Sequence, residues 1–113
     1  MHEYSLVQAL LEQVDRQARA HHALAIYKLH VSVGELAGVE VALLKTAYAT
    51  FRERTRCAGA ELEVRSVPAR WSCPGCGRVV PRGEPLRCVD CGTPARLEAG
   101  GEIVLDRIEM EVS

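Results

Sequence analysis

Four cysteines stand in two pairs, Cys73-Pro74-Gly75-Cys76 and Cys88-Val89-Asp90-Cys91, with eleven residues between the pairs. A CxxC turn brings two sulfurs close enough to share one ion. Gly77 and Gly92, each following a second cysteine, permit the positive φ that turns backbone N–H groups toward the thiolates. Two such turns complete a tetrahedral S4 site, which suits Zn2+ and leaves no open coordination position. A closed site of this kind folds a chain; it offers no place for reaction chemistry.

Other chemistries compete with zinc for the four thiols. Redox dithiols of the thioredoxin type come singly and near a βαβ unit. Iron shares the S4 geometry, and zinc is favoured because the module is short, aromatic-poor and joined to a second domain. A colourless protein would exclude iron. Arg70, Arg78, Arg82, Arg87 and Arg96 make the module locally basic, yet Trp71 is the one aromatic nearby. Single-strand nucleic-acid binding normally needs more stacking platforms than that.

A second set of donors stands at the beginning of the sequence, Met1-His2-Glu3. Methionine aminopeptidase removes Met before small residues, so a bulky His2 keeps Met1 and a free α-amine. The amine, the deprotonated His2 amide and the His2 imidazole can form fused chelate rings around one ion. Glu3 can add its amide or its carboxylate. Nitrogen and oxygen donors in a planar or tetragonal array suit Ni(II) or Cu(II). Protons compete for the amine (pKa about 7.7–8.0) and the imidazole (about 6.5), so such a site weakens as pH falls.

The surrounding patterns predict the elements that position these groups. Leu6, Val7, Leu10, Leu11, Val14 and Ala18 recur at helical spacing from Tyr4 to about Ala20, with Glu12, Asp15, Arg16 and Arg19 on the wet face. Ala25 to Val33 alternates, placing Tyr27, Leu29, Val31 and Val33 on one face of a half-buried strand. A second helix follows from about Glu40 to Arg54, along Val41, Leu44, Tyr48 and Phe51. A second strand surrounds Leu62 and Val64. A third spans Glu102 to Val112, with Val104, Ile108, Met110 and Val112 inward.

Residues 69–101 differ in kind, holding four of the five cysteines, four prolines and six glycines. Such a stretch buries too little surface to order itself without a staple. Gly100-Gly101 at its exit reads as a hinge. The expected fold class is α+β: a three-stranded sheet with two helices on one face, plus an inserted zinc-ribbon module. The boundaries are 1–68 and 102–113 for the α+β domain and 69–101 for the zinc-binding domain.

With 48% hydrophobic and 26% charged residues, the chain of 113 residues has the composition of a soluble globular protein. A net charge of −1 gives no general attraction to nucleic acid. The first apolar stripe is broken by charges and lacks a basic lead, so no signal peptide is expected. No run reaches the roughly 20 apolar residues that span a bilayer. Free cysteines without a secretory signal point to the cytoplasm.

Met1-His2-Glu3-Tyr4-Ser5-Leu6, the strand running into Val33-Gly34-Glu35-Leu36, and the two late CxxC pairs resemble the HypA/HybF family of hydrogenase maturation factors. The likeness covers essentially the whole chain. It implies a nickel metallochaperone with an α+β nickel-binding domain and a zinc domain. It also implies Ni(II) as cargo, delivered with a HypB-type GTPase to the [NiFe]-hydrogenase large-subunit precursor. Some relatives are linked to urease maturation. By position, Met1, His2 and Glu3 match the nickel motif, and Cys73, Cys76, Cys88 and Cys91 match the zinc ligands. Glu40 falls where an acidic residue approaches the nickel in some relatives; a carboxylate favoured by a helix dipole explains it equally. The rival class is a zinc-ribbon adaptor that binds protein or nucleic acid and carries no exchangeable metal.

Other polar residues have plainer readings. His21 and His22 close the first helix, and neighbours on a helix point about 100° apart, too far to chelate one ion. His30 reads as a surface residue and Cys57 as a half-buried structural thiol. No nucleophilic triad, phosphate-cradling loop or paired-carboxylate site is present in the sequence, so no enzymatic activity is expected.

Overall fold

The computed structural model describes residues 2–112, for His2 the backbone alone. Helix α1 covers His2–Ala20, and its stripe of Val7, Leu10, Leu11, Val14 and Ala18 is buried. Glu3 lies in its first turn and Arg19 in its last, each complementing the helix dipole. Asp15 pairs with Arg19 one turn on, at 2.8 Å. His22 then adopts φ +55° and turns the chain out of the helix, a task usually given to glycine or asparagine.

Strand β1, Ala23–Gly34, is the centre of a three-stranded sheet ordered β2-β1-β6. Strand β2 (Glu61–Val67) runs parallel to it, and β6 (Ile103–Val112) antiparallel. A parallel neighbour requires a crossover, which is supplied by helix α2 (Val41–Phe51) and a 3-10 turn, Arg52–Arg54. The second helix ends with its apolar stripe at Phe51, short of the expected Arg54, and Arg52 is its C-cap. Both helices cover one face of the sheet. Leu29, Val31 and Val33 of β1 meet Val7, Leu10 and Val14 of α1 and Leu44, Ala47 and Tyr48 of α2 in one core.

Two irregularities change which residues reach that core. Between Ile26 and Lys28 the β1–β6 register shifts, so Tyr27 is the extra residue of a bulge. Tyr27 is consequently 52% exposed and Ile26 only 5%, the reverse of simple alternation. Asp106 is the extra residue on β6, where His30 pairs with Arg107 but Val31 with Leu105. Ile103 and Leu105 face inward before it, Ile108 and Met110 after it. Val104 and Val112, expected inside, are exposed. Period two holds on either side of a bulge and inverts across it.

The second sheet is built wholly from the insertion between β2 and β6. Its order is β4-β3-β5, from β3 (Arg70–Ser72), β4 (Val79–Val80) and β5 (Arg96–Ala99). None of its residues belongs to the main core cluster.

Candidate metal centre

The backbone bonds of the two CxxC turns correspond. Cys73 N–H donates to the Arg78 carbonyl at 2.9 Å, and Cys88 N–H to the Thr93 carbonyl at 2.9 Å. Gly77 N–H returns to the Cys73 carbonyl at 2.8 Å, as Gly92 N–H does to that of Cys88. The turns close because Gly77 and Gly92 adopt φ +77° and +66°. Each turn also aims an amide at a sulfur: Gly75 N–H at Cys73 Sγ, 3.3 Å, and Cys91 N–H at Cys88 Sγ, 3.4 Å. Arg78 of one turn pairs with Asp90 of the other at 2.8 Å, tying the knuckles together.

The four Sγ atoms lie within 4.8 Å of one another, and those of Cys76 and Cys88 are 3.8 Å apart. A tetrahedral ion with bonds of about 2.3 Å needs sulfur–sulfur edges of about 3.8 Å. The donor set therefore fits Zn2+. Cys73 and Cys88 are buried while Cys76 and Cys91 face solvent.

The electrostatics of the four thiols show why a dication belongs there. N–H groups of Cys76 and Gly75 point at the Cys73 sulfur and lower its pKa to about 7. The crowding of Cys76, Cys73 and Cys88 around Cys91 pushes that thiol up to about 12. One thiolate forms readily and the last resists. A bound cation removes that conflict and makes all four thiolates.

At the other end of the chain, Met1 and the His2 side chain lie outside the described residues. The backbone of α1 begins at His2, and Glu3 is buried. Its Oε2 accepts the backbone N–H of Glu40 at 3.3 Å. Glu40 is the N-cap of α2 with φ −89° and ψ 114°, and its own side chain makes no capping bond. The first turn of α1 is thus fastened to the first turn of α2.

His30 is more than a surface residue. Its side chain is 20% exposed, with Nδ1 at 2.8 Å from Glu63 on β2 and Nε2 against Glu109 on β6. Arg107 Nη2 lies 3.1 Å from the same Glu109 carboxylate. Nearby, Arg65 donates to Ser32 Oγ at 3.0 Å, and Ser32 donates to Asp106. These residues form a polar band across all three strands on the face opposite the helices. The carboxylates grip opposite edges of one imidazole, so they do not converge on an ion. Alternation had placed His30 on the polar face, but strand pairing, which sequence alone does not reveal, supplied its partners. Cys57 is fully buried, not half-buried, and burial pushes its thiol pKa up.

The fold and the cluster together define a small α+β protein bearing a ribbon with a four-cysteine metal cluster. The sequence profile of a family described as "Hydrogenase/urease nickel incorporation, metallochaperone, hypA" matches residues 1–110. The chain belongs to this HypA family of nickel-incorporation metallochaperones. It is 38% identical over 114 residues to the hydrogenase maturation factor HypA of Wolinella succinogenes, covering 98% of this chain and 96% of that protein. To the Aquifex aeolicus protein of the same name it is 36% identical, with 99% of each covered. The solution structure of the Ni metallochaperone HypA from Helicobacter pylori superposes with a TM-score of 0.77 at 27% identity, covering 98% of each chain. Another HypA solution structure does so with a TM-score of 0.82 at 27% identity, covering 100% of this chain and 98% of that one.

Proposed function

We propose that this chain binds Ni(II) at Met1, His2 and Glu3 and delivers it for maturation of [NiFe]-hydrogenase, while Cys73, Cys76, Cys88 and Cys91 hold a structural zinc ion. The observation that carries the reading is family membership over residues 1–110. On this reading residues 1–68 and 102–113 are the nickel-binding domain and 69–101 the zinc-binding domain. A HypB-type GTPase and the hydrogenase large-subunit precursor are the partners, and urease maturation proteins are candidates for the same route. The cytoplasm is where such partners meet. Among the described residues no helix is long and apolar enough to cross a membrane.

The start of α1 supports the nickel assignment in physical terms. The first amides of a helix have no intrahelical acceptor, so the His2 and Glu3 nitrogens are not committed to the helix ladder. The positive end of the helix dipole disfavours a bare dication. Each amide that gives up its proton to the metal cancels one unit of that charge. The Glu3 carboxylate faces the N-terminus of α2, so the amide nitrogen of Glu3 is the donor it offers. Binding that releases amide and imidazole protons strengthens as pH rises. A closed S4 site lacks an exchange position, so cargo and structural metal occupy separate places.

Ni(II) titration of untagged protein, of protein with one residue added before Met1, and of His2→Ala tests this. Both variants are expected to lose the tight nickel site and keep one zinc per chain. Equal nickel binding by the extended protein would refute the N-terminal assignment and favour an adaptor without exchangeable metal.

A further inference from the structure

Both chain crossings between the main sheet and the ribbon run past the end of β1. The outgoing segment passes through Pro68 and Ala69, and the returning one through Gly100 and Gly101. Three successive amides of β1 and its turn are divided between them. Gly34 N–H donates to the Glu102 carbonyl at 2.9 Å, Glu35 N–H to that of Val67 at 2.8 Å, and Leu36 N–H to that of Gly100 at 2.8 Å. The backbones are in direct contact here. A Cβ on Gly34 would lie 2.3 Å from the Gly100 carbonyl carbon, and one on Gly100 would lie 2.7 Å from Ala69 Cα. The Gly100-Gly101 pair, which the sequence suggested as a hinge, is packed on both sides.

The side chain of Glu35 completes the junction. Its Oε1 accepts the Ala69 N–H at 2.8 Å, and its Oε2 pairs with Arg82. Arg82 belongs to the loop that joins the two knuckles, 47 residues along the chain from Glu35. One carboxylate therefore holds the outgoing linker and the centre of the loop between the knuckles together.

We propose that Glu35 is a latch that fixes the orientation of the zinc ribbon on the α+β body, by holding the Ala69 amide and the Arg82 guanidinium at once. An exposed ion pair alone holds little. The latch draws its strength from acting at a crossing whose main chain is already bonded, so that ribbon rotation must break the carboxylate's two contacts together. The Ala69 N–H and then Arg82 hold the Glu35 carboxyl below the usual carboxylate range, as expected of an anion bound on both oxygens. The role is independent of the nickel assignment, because it concerns where the ribbon sits and not what the N-terminus binds.

Residual dipolar couplings on the zinc-loaded full chain test the latch. Body and ribbon amides of the unmodified protein are expected to fit one alignment tensor. Glu35→Ala and Arg82→Ala are each expected to lose the common tensor while keeping one zinc per chain. A common tensor preserved in both variants overturns the proposal, as does an unmodified protein whose two parts already align separately. Where Glu35→Ala fails to fold, Arg82→Ala decides alone, since truncating a side chain that is 70% exposed leaves the core intact. A preserved common tensor in that variant overturns the latch, and a lost one supports it.

Discussion

The carboxylate of Glu3 accepts the backbone N–H of Glu40 at 3.3 Å, joining the first turns of the two helices. Helix α2 has no capping side chain of its own, so Glu3 supplies the anion its N-terminus attracts. Glu3→Ala is expected to destabilise the fold by roughly 1 kcal/mol, within the range for a lost N-cap. Glu3→Gln keeps an acceptor and is expected to cost less. Urea midpoints of the zinc-loaded protein measure both. If the proposed nickel site uses the Glu3 amide, Glu3→Gln retains most of its nickel affinity in a calorimetric titration. A loss comparable to that of His2→Ala would assign the carboxylate as a ligand.

The ribbon contributes nothing to the main core, so an ion held by its four cysteines and that core are separable. With zinc in the cluster as proposed, chelating it is expected to unfold residues around the second sheet and leave helices α1 and α2 in place. Thiol counting gives the same partition. With metal bound, none of the five cysteines should react quickly with a disulfide reagent. After metal removal four should react, because the raised pKa and full burial of Cys57 keep it a protected thiol until the body unfolds. Far-UV circular dichroism and a thiol titration report the two halves. Loss of the helical signal together with the zinc would show that the body depends on the ribbon.

The S4 cluster was legible because its geometry is encoded within two short turns, each with its own glycine. Helix α1 was legible because its stripe runs from Leu6 to Ala18 without interruption. What sequence did not reveal lies in pairings across distance. Alternation puts Tyr27 and Val104 inward, and the bulges at Tyr27 in β1 and Asp106 in β6 put them outside. Bulges leave no local signature when the extra residue is a tyrosine or an aspartate. His30 found its two carboxylates only when β2 and β6 were laid beside β1. The contacts of Glu3 and Glu35 bridge 37 and 34 residues, and no periodicity predicts them.

The band around His30 sets an expectation for acid stability. Glu109 is held below the usual carboxylate range by its bond to His30 and then by Arg107, and Glu35 is likewise lowered. A carboxylate depressed in the folded state contributes stability above its unfolded pKa, about 4.3 for Glu, and loses it as pH falls through the folded value. The fold should therefore weaken from about pH 5 downward. Glu109→Gln removes one titrating group and is expected to flatten that slope while lowering stability at neutral pH. Urea midpoints across the acid range measure the slope; an unchanged slope would mean that Glu109 titrates alike in both states.

Gly34 offers the sharpest test of the junction between body and ribbon. It lies at the end of the central strand with an ordinary backbone conformation, so alanine costs nothing there by dihedral angle. The obstacle is the Gly100 carbonyl group, 2.3 Å from where the Cβ would stand, and backbone cannot swing aside as a flexible side chain can. Gly34→Ala must therefore push the returning segment away, straining the Gly34–Glu102 and Leu36–Gly100 hydrogen bonds together. A cost of about 2 kcal/mol or more is expected, in the upper part of the range for overpacking. Gly59→Ala is the control, because nothing lies within 4 Å of its Cβ position. That variant should match the parent protein within about 0.5 kcal/mol. Thermal and urea unfolding of the two zinc-loaded variants compare them, and equal stability would mean that the crossing yields without strain.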